Sequence, residues 1–385
     1  MRMERFENKR QPVELADIMR VYGPELKQNR KLCPEQYKAI DDISACRTSQ
    51  MKGHLSVCDK CGYREQSYNS CRNRHCNKCQ YQKQTIWVEN LKGRLLPGKY
   101  FHLVFTLPDC LNSIVYRNQQ VCYSLLFNKA WSALQTLCSS PRFLGAQPGA
   151  VAVLHTWSST LVYHPHVHLL VPGGGLSEDG MEWIRAKKNF LVPVKALSKV
   201  FRARFCEALL KLLHAGSLDV PQQIQPEGLK QKLYAKNWVV YAQKTGKTAD
   251  RALQYLGRYT HRVAISNQRI CWFNQGKVCF RYKNPKTGQY NREMVLDAQT
   301  FVKRFLLHVL PSGFYKTRYF GILASVSSAS KKEQCLALID KDQYLSPVAG
   351  LSSFEAFLIL TGIDPWRCKK CSGGLMKAYP VNNSA

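Results

Sequence analysis

The apolar positions along the chain recur with two periods, one typical of helices and one typical of strands. Spacings of three and four predict helices over residues 13–22 and 34–43, so residues 1–45 are expected to form an N-terminal helical region. Short apolar runs predict strands over residues 100–107, 151–161 and 163–171. The last two runs are joined by a short polar link, which favours antiparallel neighbours in one sheet.

Further along the chain, helical and strand patterns alternate with polar turns. Helices are predicted over residues 84–96, 124–138, 196–213, 246–260 and 301–310. Residues 278–282 and 293–296 predict a hairpin. We expect one large domain over residues 96–345, in which the polar and basic segment 178–235 forms a helical insertion or a lid.

The strand predicted at residues 163–171 has an unusual polar face. His164, His166 and His168 occupy every second position, and alternate residues of a strand point the same way, so the imidazoles are expected on one face. Neutral imidazoles at this spacing can hold a divalent metal ion and leave coordination positions open for substrate oxygens. The antiparallel neighbour would also bring His155 close. The alternative is a strand of hydrogen-bonded core histidines, but three of the chain's ten histidines in phase favour a metal site.

The composition narrows the class of partner. Lys and Arg total 56 against 26 Asp and Glu, which gives a formal charge of +30, and 45% of the residues are hydrophobic, as in a folded protein. Positive charge spread along the chain favours nucleic acid, with an anionic membrane surface as the alternative. No run reaches about 18 apolar residues, and no apolar segment follows the basic N-terminus, so we expect no membrane span, no secretory signal and a cytoplasmic location.

The cysteines are concentrated near the N-terminus. Cys58 and Cys61 form one CxxC pair and Cys76 and Cys79 form a second. Two such pairs about 15 residues apart are typical of a tetrahedral structural zinc site, so residues 46–95 are expected to form a zinc-binding domain. Four further residues are candidates for a second site or for replacing a member of the first: Cys71, His75, Cys46 and His54.

Two further features flank this candidate zinc site in sequence. Arg72 and Arg74 belong to a basic rim that is expected to contact phosphates, with a solvated surface as the alternative. The C-terminal tail, residues 346–385, carries a single CxxC pair, Cys368 and Cys371. Because no partner pair follows it, we interpret it as free thiols or as weak metal binding in a mobile tail.

A pair of tyrosines stands in the helix predicted at residues 246–260. Tyr255 and Tyr259 are four residues apart, so their phenols are expected on one helix face, beside Arg258 and Arg262. Tyrosines at this spacing are more often core or stacking residues than nucleophiles. Combined with a metal-binding histidine strand and a charge of +30, however, they predict a tyrosine that attacks a metal-polarised phosphodiester, leaving a 5′-phosphotyrosine and a free 3′-hydroxyl.

Four motifs together resemble a known family. HPHVHLLV resembles the histidine-hydrophobe-histidine signature of the HUH single-strand endonucleases. YLGRYTHRVAIS resembles the paired-tyrosine motif of the two-tyrosine rolling-circle transposases of bacterial insertion sequences. SCRNRHCNKC and YFHLVFTLP are similar to the zinc-binding part and the first strand of the same transposases, and the four motifs stand in the family's order.

The resemblance implies an α+β fold, with an HUH-type central antiparallel sheet flanked by helices behind a small N-terminal zinc-binding domain. It implies Mg²⁺ or Mn²⁺ as cofactor and single-stranded DNA at transposon ends as partner. By position, His166 and His168 carry over as metal ligands and Tyr255 and Tyr259 as nucleophiles. One-tyrosine relatives supply a third ligand as a glutamine one helical turn after the tyrosine; Val263 stands there in this chain, which leaves His155 or His164 as the candidate.

Two other functions compete with a transposase. A rolling-circle replication initiator or a relaxase shares the chemistry, but the zinc-binding segment and the lack of a GxxxxGK[ST] phosphate loop disfavour both. A zinc-dependent DNA-binding protein without catalysis is the second alternative.

Overall fold

A computed structural model describes residues 13–187, 190–245, 263–324, 328–339, 344–371 and 373–381. The predicted tyrosine helix at residues 246–260 and Arg262 lie outside the described residues. The described residues form ten α-helices: α1 (Leu15–Asn29), α2 (Pro34–Ala45), α3 (Asn77–Lys92), α4 (Asn112–Arg117), α5 (Gln119–Ser139), α6 (Val194–His214), α7 (Pro226–Ala235), α8 (Ala298–Leu306), α9 (Ser328–Ile339) and α10 (Ser353–Thr361).

The same residues form thirteen strands: β1 (Gly53–Cys58), β2 (Arg64–Tyr68), β3 (Tyr100–Thr106), β4 (Gly149–Trp157), β5 (Tyr163–Pro172), β6 (Gly174–Leu176), β7 (Trp183–Arg185), β8 (Val240–Thr245), β9 (Ile270–Asn274), β10 (Lys277–Tyr282), β11 (Arg292–Asp297), β12 (Thr317–Gly321) and β13 (Met376–Val381).

The central sheet has five strands in the order β12-β4-β5-β3-β8. Every neighbouring pair in it is antiparallel. Helices pack on this sheet, so the expected α+β fold with a central antiparallel sheet is confirmed. The predicted pairing of the two strand runs around residue 160 is also confirmed, because β4 and β5 are neighbours.

One face of the central sheet forms the main hydrophobic core. Alternate residues of β3, β4 and β5, such as Phe105, Leu154 and Val167, are buried there against α5 and α6. The ring of Phe105 packs edge-on against Phe201 of α6, with centroids 5.0 Å apart. This face needs the strict two-residue alternation of a strand, because a shift of one position would turn its apolar side chains to the other face.

The opposite face is divided into an apolar half and a histidine half. Toward one end, Tyr100, Val151 and Leu170 pack with α3 and α9 in a second cluster. Toward the other end of the same strands, the residues in the same phase are histidines of β4 and β5.

A third hydrophobic cluster joins the N-terminal helices to residues 264–309. The apolar sides of α1 and α2 pack with α8 and with the separate sheet β9–β10–β11. Cys46, Cys76 and Cys79 belong to this cluster, so the N-terminal helical region is continuous with the C-terminal part of the domain.

The structure changes two expectations about chain organisation. Helix α6, within the segment 178–235, is part of the main core and not a lid, because Leu197, Phe201 and Phe205 are fully buried there. Residues 376–381 do not belong to a mobile tail, since β13 pairs with β1 from Gly53–Val381 to Cys58–Met376. In both cases the partner surface lies far away in sequence, where local patterns carry no information.

Among the described residues, no helix combines the length and the apolar character that crossing a bilayer requires.

Replacing Phe105 by Ala is expected to destabilise the fold by about 3–5 kcal/mol, because a large ring leaves a cavity between the sheet and α6. Thermal unfolding followed by circular dichroism measures this as a lowered midpoint. Met181→Ala is the control, since Met181 is 70% exposed. Equal midpoints for the two variants would contradict the assignment of Phe105 to the core.

Candidate active site and cysteine sites

Three histidines meet on the histidine half of the central sheet. His155 lies near the end of β4, and His166 and His168 lie on β5. The antiparallel register places His155 directly opposite His166, while His168 lies opposite Val153. The alternation of each strand then turns all three imidazoles to the face that the main core does not occupy.

The three imidazoles are close enough to share one ion. One ring nitrogen from each of His155, His166 and His168 lies within 4.8 Å of the others. Their ring centroids are 4.4 to 5.4 Å apart. His155 is further held by stacking on Trp157, with ring centroids 4.8 Å apart.

The hydrogen bonding of His166 leaves the lone pair of its Nε2 free to bind a metal ion. Its Nδ1 lies 2.6 Å from the carbonyl oxygen of His164. A carbonyl oxygen only accepts, so Nδ1 carries the proton and the lone pair of the neutral ring is on Nε2. Burial lowers the pKa of His166 to about 4, so this ring is neutral at pH 7.

A fourth histidine orients one of the three. His102 of β3 is buried, and its Nε2 lies 2.8 Å from Nδ1 of His168. Burial lowers the pKa of His102 to about 4, which favours a neutral ring. A hydrogen bond of this kind sets the tautomer and ring orientation of a metal-ligating histidine. His102 was not predicted from the sequence, where the only signal was a histidine in the mostly apolar run YFHLVFTL.

The structure brings His155, and not His164, into the cluster. His164 lies beyond the last pair of β3 and β5, Thr106–His166, and its ring is 38% exposed. Its Nδ1 lies 3.7 Å from a carboxylate oxygen of Asp109, on the side of a groove next to α7. Of the two histidines expected as a possible third ligand, His155 therefore joins the group of described residues and His164 does not.

Two basic residues line a cavity at the same end of the central sheet. The cavity has a volume of about 20 Å³, and its lining includes Leu154, Thr156, Arg74 and Lys316 but not His155, whose ring turns to the other face of the sheet. Burial, reinforced by the charge of Arg74, lowers the pKa of Lys316 to about 7. Burial therefore favours the uncharged form of this lysine.

Comparison with known proteins identifies the class of this chain. A family model described as "Putative transposase" matches residues 149–332, and one described as "Transposase zinc-binding domain" matches residues 18–107. A protein of Sinorhizobium fredii (strain NBRC 101917 / NGR234), "Putative transposase y4qJ", is 39% identical over 376 residues, which is 94% of each chain. The chain belongs to this transposase family.

A more distant relative and the solved structures complete the comparison. The "Transposase for insertion sequence element IS801" of Pseudomonas savastanoi pv. phaseolicola is 27% identical over 363 residues, 90% of this chain and 84% of that one. No solved structure matches this transposase. The match to the first family model includes the three clustered histidines, so the cluster lies in the part that defines the family.

Eight cysteines of the described residues form two groups of four, whereas the sequence placed Cys58, Cys61, Cys76 and Cys79 in one site and left a second site open. The N-terminal cysteine site consists of Cys46, Cys71, Cys76 and Cys79. The C-terminal cysteine site consists of Cys58, Cys61, Cys368 and Cys371. The predicted grouping of Cys58, Cys61, Cys76 and Cys79 is wrong, because β1 pairs with β13 and thereby brings a distant CxxC pair to Cys58 and Cys61.

The N-terminal cysteine site has the dimensions of a zinc site. The Sγ atom of Cys46 lies 3.6 Å from that of Cys79 and 3.7 Å from that of Cys76, and Cys71 is 3.7 Å from Cys79. Four sulfurs around one zinc ion at about 2.3 Å would be about 3.8 Å apart. Cys76 is the N-cap residue of α3, and Cys79 lies in its first turn, where the helix dipole stabilises thiolates.

The two histidines proposed as spare zinc ligands lie elsewhere. His75 accepts a hydrogen bond from the backbone N–H of Leu310 at 3.3 Å through Nε2, and burial lowers its pKa to about 3. His54 is on β1, opposite Ser67 and Pro380. Neither belongs to a cysteine group of the described residues.

The first prediction from this geometry concerns the ligands. Replacing His155 or His166 by Ala removes one of three convergent nitrogens, so the transposase should lose more than about a hundredfold in Mn²⁺ affinity. Electron paramagnetic resonance of free Mn²⁺ during titration measures the loss. His164→Ala is the matched control on the same strand and should bind as the wild type does. Equal loss in all three variants would contradict the assignment.

The second prediction concerns His102. Because it touches His168 and not the shared space between the rings, His102→Ala should weaken Mn²⁺ binding by roughly 10–100-fold without abolishing it. His102→Gln offers an amide at a similar distance and should restore part of the affinity. Unchanged affinity in His102→Ala would show that the contact has no orienting role.

Proposed function

We propose that this transposase nicks and rejoins single-stranded DNA at the ends of an insertion sequence, with Tyr255 and Tyr259 as nucleophiles and the three-histidine cluster as the metal centre. The observation that carries the proposal is the convergence of His155, His166 and His168 on one sheet face in a chain of a transposase family.

The donor set of the cluster fits a divalent ion. Three neutral imidazole nitrogens would occupy part of the coordination sphere and leave room for oxygen ligands such as those of a phosphate. Nitrogen donors suit Mn²⁺ better than Mg²⁺, which prefers oxygen ligands and retains water. When bound, the ion would supply Lewis acidity to the scissile phosphodiester.

The chain path supports bringing the tyrosines to the cluster. β8 runs away from the histidine end of the sheet: Val240 lies opposite Phe105, and Thr245 lies opposite Tyr100. The next described residue, Val263, lines the cavity beside Thr156 and Trp157, which follow His155. The two described residues that flank the intervening segment, Thr245 and Val263, therefore lie at opposite ends of the sheet.

A helix over residues 246–260 would be long enough to lead back from one end of the central sheet to the other. The helix expected from the sequence at residues 246–260 would span roughly 22 Å at about 1.5 Å per residue. Six strand residues between the two ends of β8 span about 20 Å. A helix along this path would carry Tyr255 and Tyr259 toward the histidine end, which is the arrangement that the proposal needs.

The proposed reaction is a displacement at phosphorus. The phenol of one tyrosine loses its proton, its oxygen bonds to the phosphorus, the bond from phosphorus to the 3′ oxygen breaks, and that oxygen takes up a proton. The product is a 5′-phosphotyrosine and a free 3′-hydroxyl, which later attacks the phosphotyrosine and rejoins DNA without another energy source. Two tyrosines allow two such cleavages to be coupled.

Basic residues would hold the DNA backbone. Arg72 is exposed on the loop before α3, and Arg74 lines the cavity beside Thr156 and Trp157. Arg258 and Arg262 neighbour the tyrosines in sequence. Together with the net charge of +30 of the whole chain, these residues support salt-sensitive binding to DNA phosphates. The substrate that we propose is single-stranded DNA, because the reaction cuts and rejoins one strand at a time.

A covalent adduct tests the proposal. Purified protein is incubated with labelled single-stranded DNA from each end of the element, with Mn²⁺ or Mg²⁺, and resolved in SDS gels. Tyr255→Phe with Tyr259→Phe should reduce the adduct by a factor of about 10³ or more, because no nucleophile remains. Tyr379→Phe, on the exposed part of β13, is the control and should leave the yield unchanged.

The alternatives give different results in the same assay. Salt-sensitive binding with no adduct on any end would support a DNA-binding protein without catalysis. An adduct that forms but never transfers to a second end would favour a replication initiator or a relaxase.

A further inference from the structure

Half of the C-terminal cysteine site lies outside both family models. The zinc-binding model ends at residue 107 and the transposase model ends at residue 332, so neither includes Cys368 or Cys371. We propose that Cys58, Cys61, Cys368 and Cys371 bind a second structural zinc ion, which clamps the C-terminal end of the chain onto the N-terminal zinc-binding domain.

The sulfur positions fit a zinc ion. The Sγ atoms of Cys58 and Cys371 are 3.7 Å apart, and those of Cys61 and Cys368 are 3.6 Å apart. These distances match the edge of about 3.8 Å expected for four sulfurs around zinc. They are far longer than the roughly 2.05 Å of a disulfide.

Both CxxC loops have the backbone geometry of a zinc knuckle. The Sγ atom of Cys58 accepts backbone N–H hydrogen bonds from Lys60 and Cys61, each at 3.4 Å. The Sγ atom of Cys368 accepts one from Lys370, also at 3.4 Å. Such bonds stabilise the thiolate form that a metal requires, and the two loops repeat the same arrangement with residues far apart in sequence.

Backbone contacts hold the two CxxC loops together. Asp59 donates its N–H to the carbonyl of Leu375 at 3.0 Å, and its side chain accepts from the N–H of Leu375 at 2.8 Å. Gly374 lies against Cys58 so closely that a Cβ there would be 2.4 Å from Sγ. Only glycine fits this position, so the contact between the loops depends on it.

Apolar burial alone cannot account for this contact. The local cluster contains Cys58, Cys368 and Met376, with Tyr63 and Cys371 packed at its edge. A cluster this small buries too little apolar surface to order two loops, and modules of this size rely on a metal or a disulfide. Four thiolates around zinc carry a net charge of −2, which nearby Lys60 and Lys370 partly offset.

Metal analysis of the full-length protein tests the proposal. The wild type should contain two zinc ions per chain, one in each cysteine site. Cys58→Ser with Cys61→Ser should leave one, Cys368→Ser with Cys371→Ser should leave one, and all four changes together should also leave one. Cys33→Ser with Cys110→Ser, at two exposed positions, is the control and should keep both ions.

Three results would overturn the proposal. Two ions retained in the Cys368→Ser, Cys371→Ser variant would show that the C-terminal pair binds no zinc. A quadruple variant with no zinc would show that the two CxxC pairs act in separate sites. Iron in place of zinc would exclude the proposed ion.

A second measurement uses the wild type alone, in case a variant does not fold. Native protein is alkylated with and without a zinc chelator, and labelled peptides are quantified. Cys58, Cys61, Cys368 and Cys371 should be protected and should become reactive together as the chelator removes zinc, while Cys33 and Cys110 react at once. Immediate labelling of Cys368 and Cys371 without the chelator would contradict the proposal.

Discussion

The site depends on the antiparallel pairing of β4 with β5. This pairing sets His155 opposite His166 and turns both rings to one face. The opposite phase of the same strands is filled by core residues such as Leu154 and Val167, which a shift of one residue would expose. The main core thus fixes the register, and the register assembles the histidine cluster. His102, on the strand at the other side of β5, then orients His168.

The cysteine groups impose a second, longer-range constraint. The N-terminal cysteine site lies in the same hydrophobic cluster as α1, α2 and α8, so the zinc-binding domain and the C-terminal part of the transposase domain share one interior. The C-terminal cysteine site brings together sulfurs 313 residues apart in the chain. A metal ion bound at the C-terminal cysteine site would therefore restrain two segments that are distant in sequence and reduce the conformational freedom of the unfolded chain.

The sequence predicts what depends on local periodicity and fails where the partner is distant. The approach of His155 to His166 followed from two short strands with a short link. Cys58 and Cys61 were assigned to the wrong pair because spacing cannot show that β13 returns to β1. α6 was taken for an insertion because an amphipathic pattern does not say which surface it covers. His102 escaped notice because a single histidine in a strand is usually a core residue.

The proposed chemistry requires that the histidine cluster holds a metal ion against a DNA phosphate within reach of a tyrosine. Anomalous diffraction at the manganese edge, from crystals with Mn²⁺ and single-stranded DNA from an element end, tests it most directly. We predict one strong peak bonded to His155, His166 and His168 and to a phosphate oxygen, with the hydroxyl of Tyr255 or Tyr259 beside the phosphorus. A peak on other ligands, or tyrosines far from the phosphate, would contradict it.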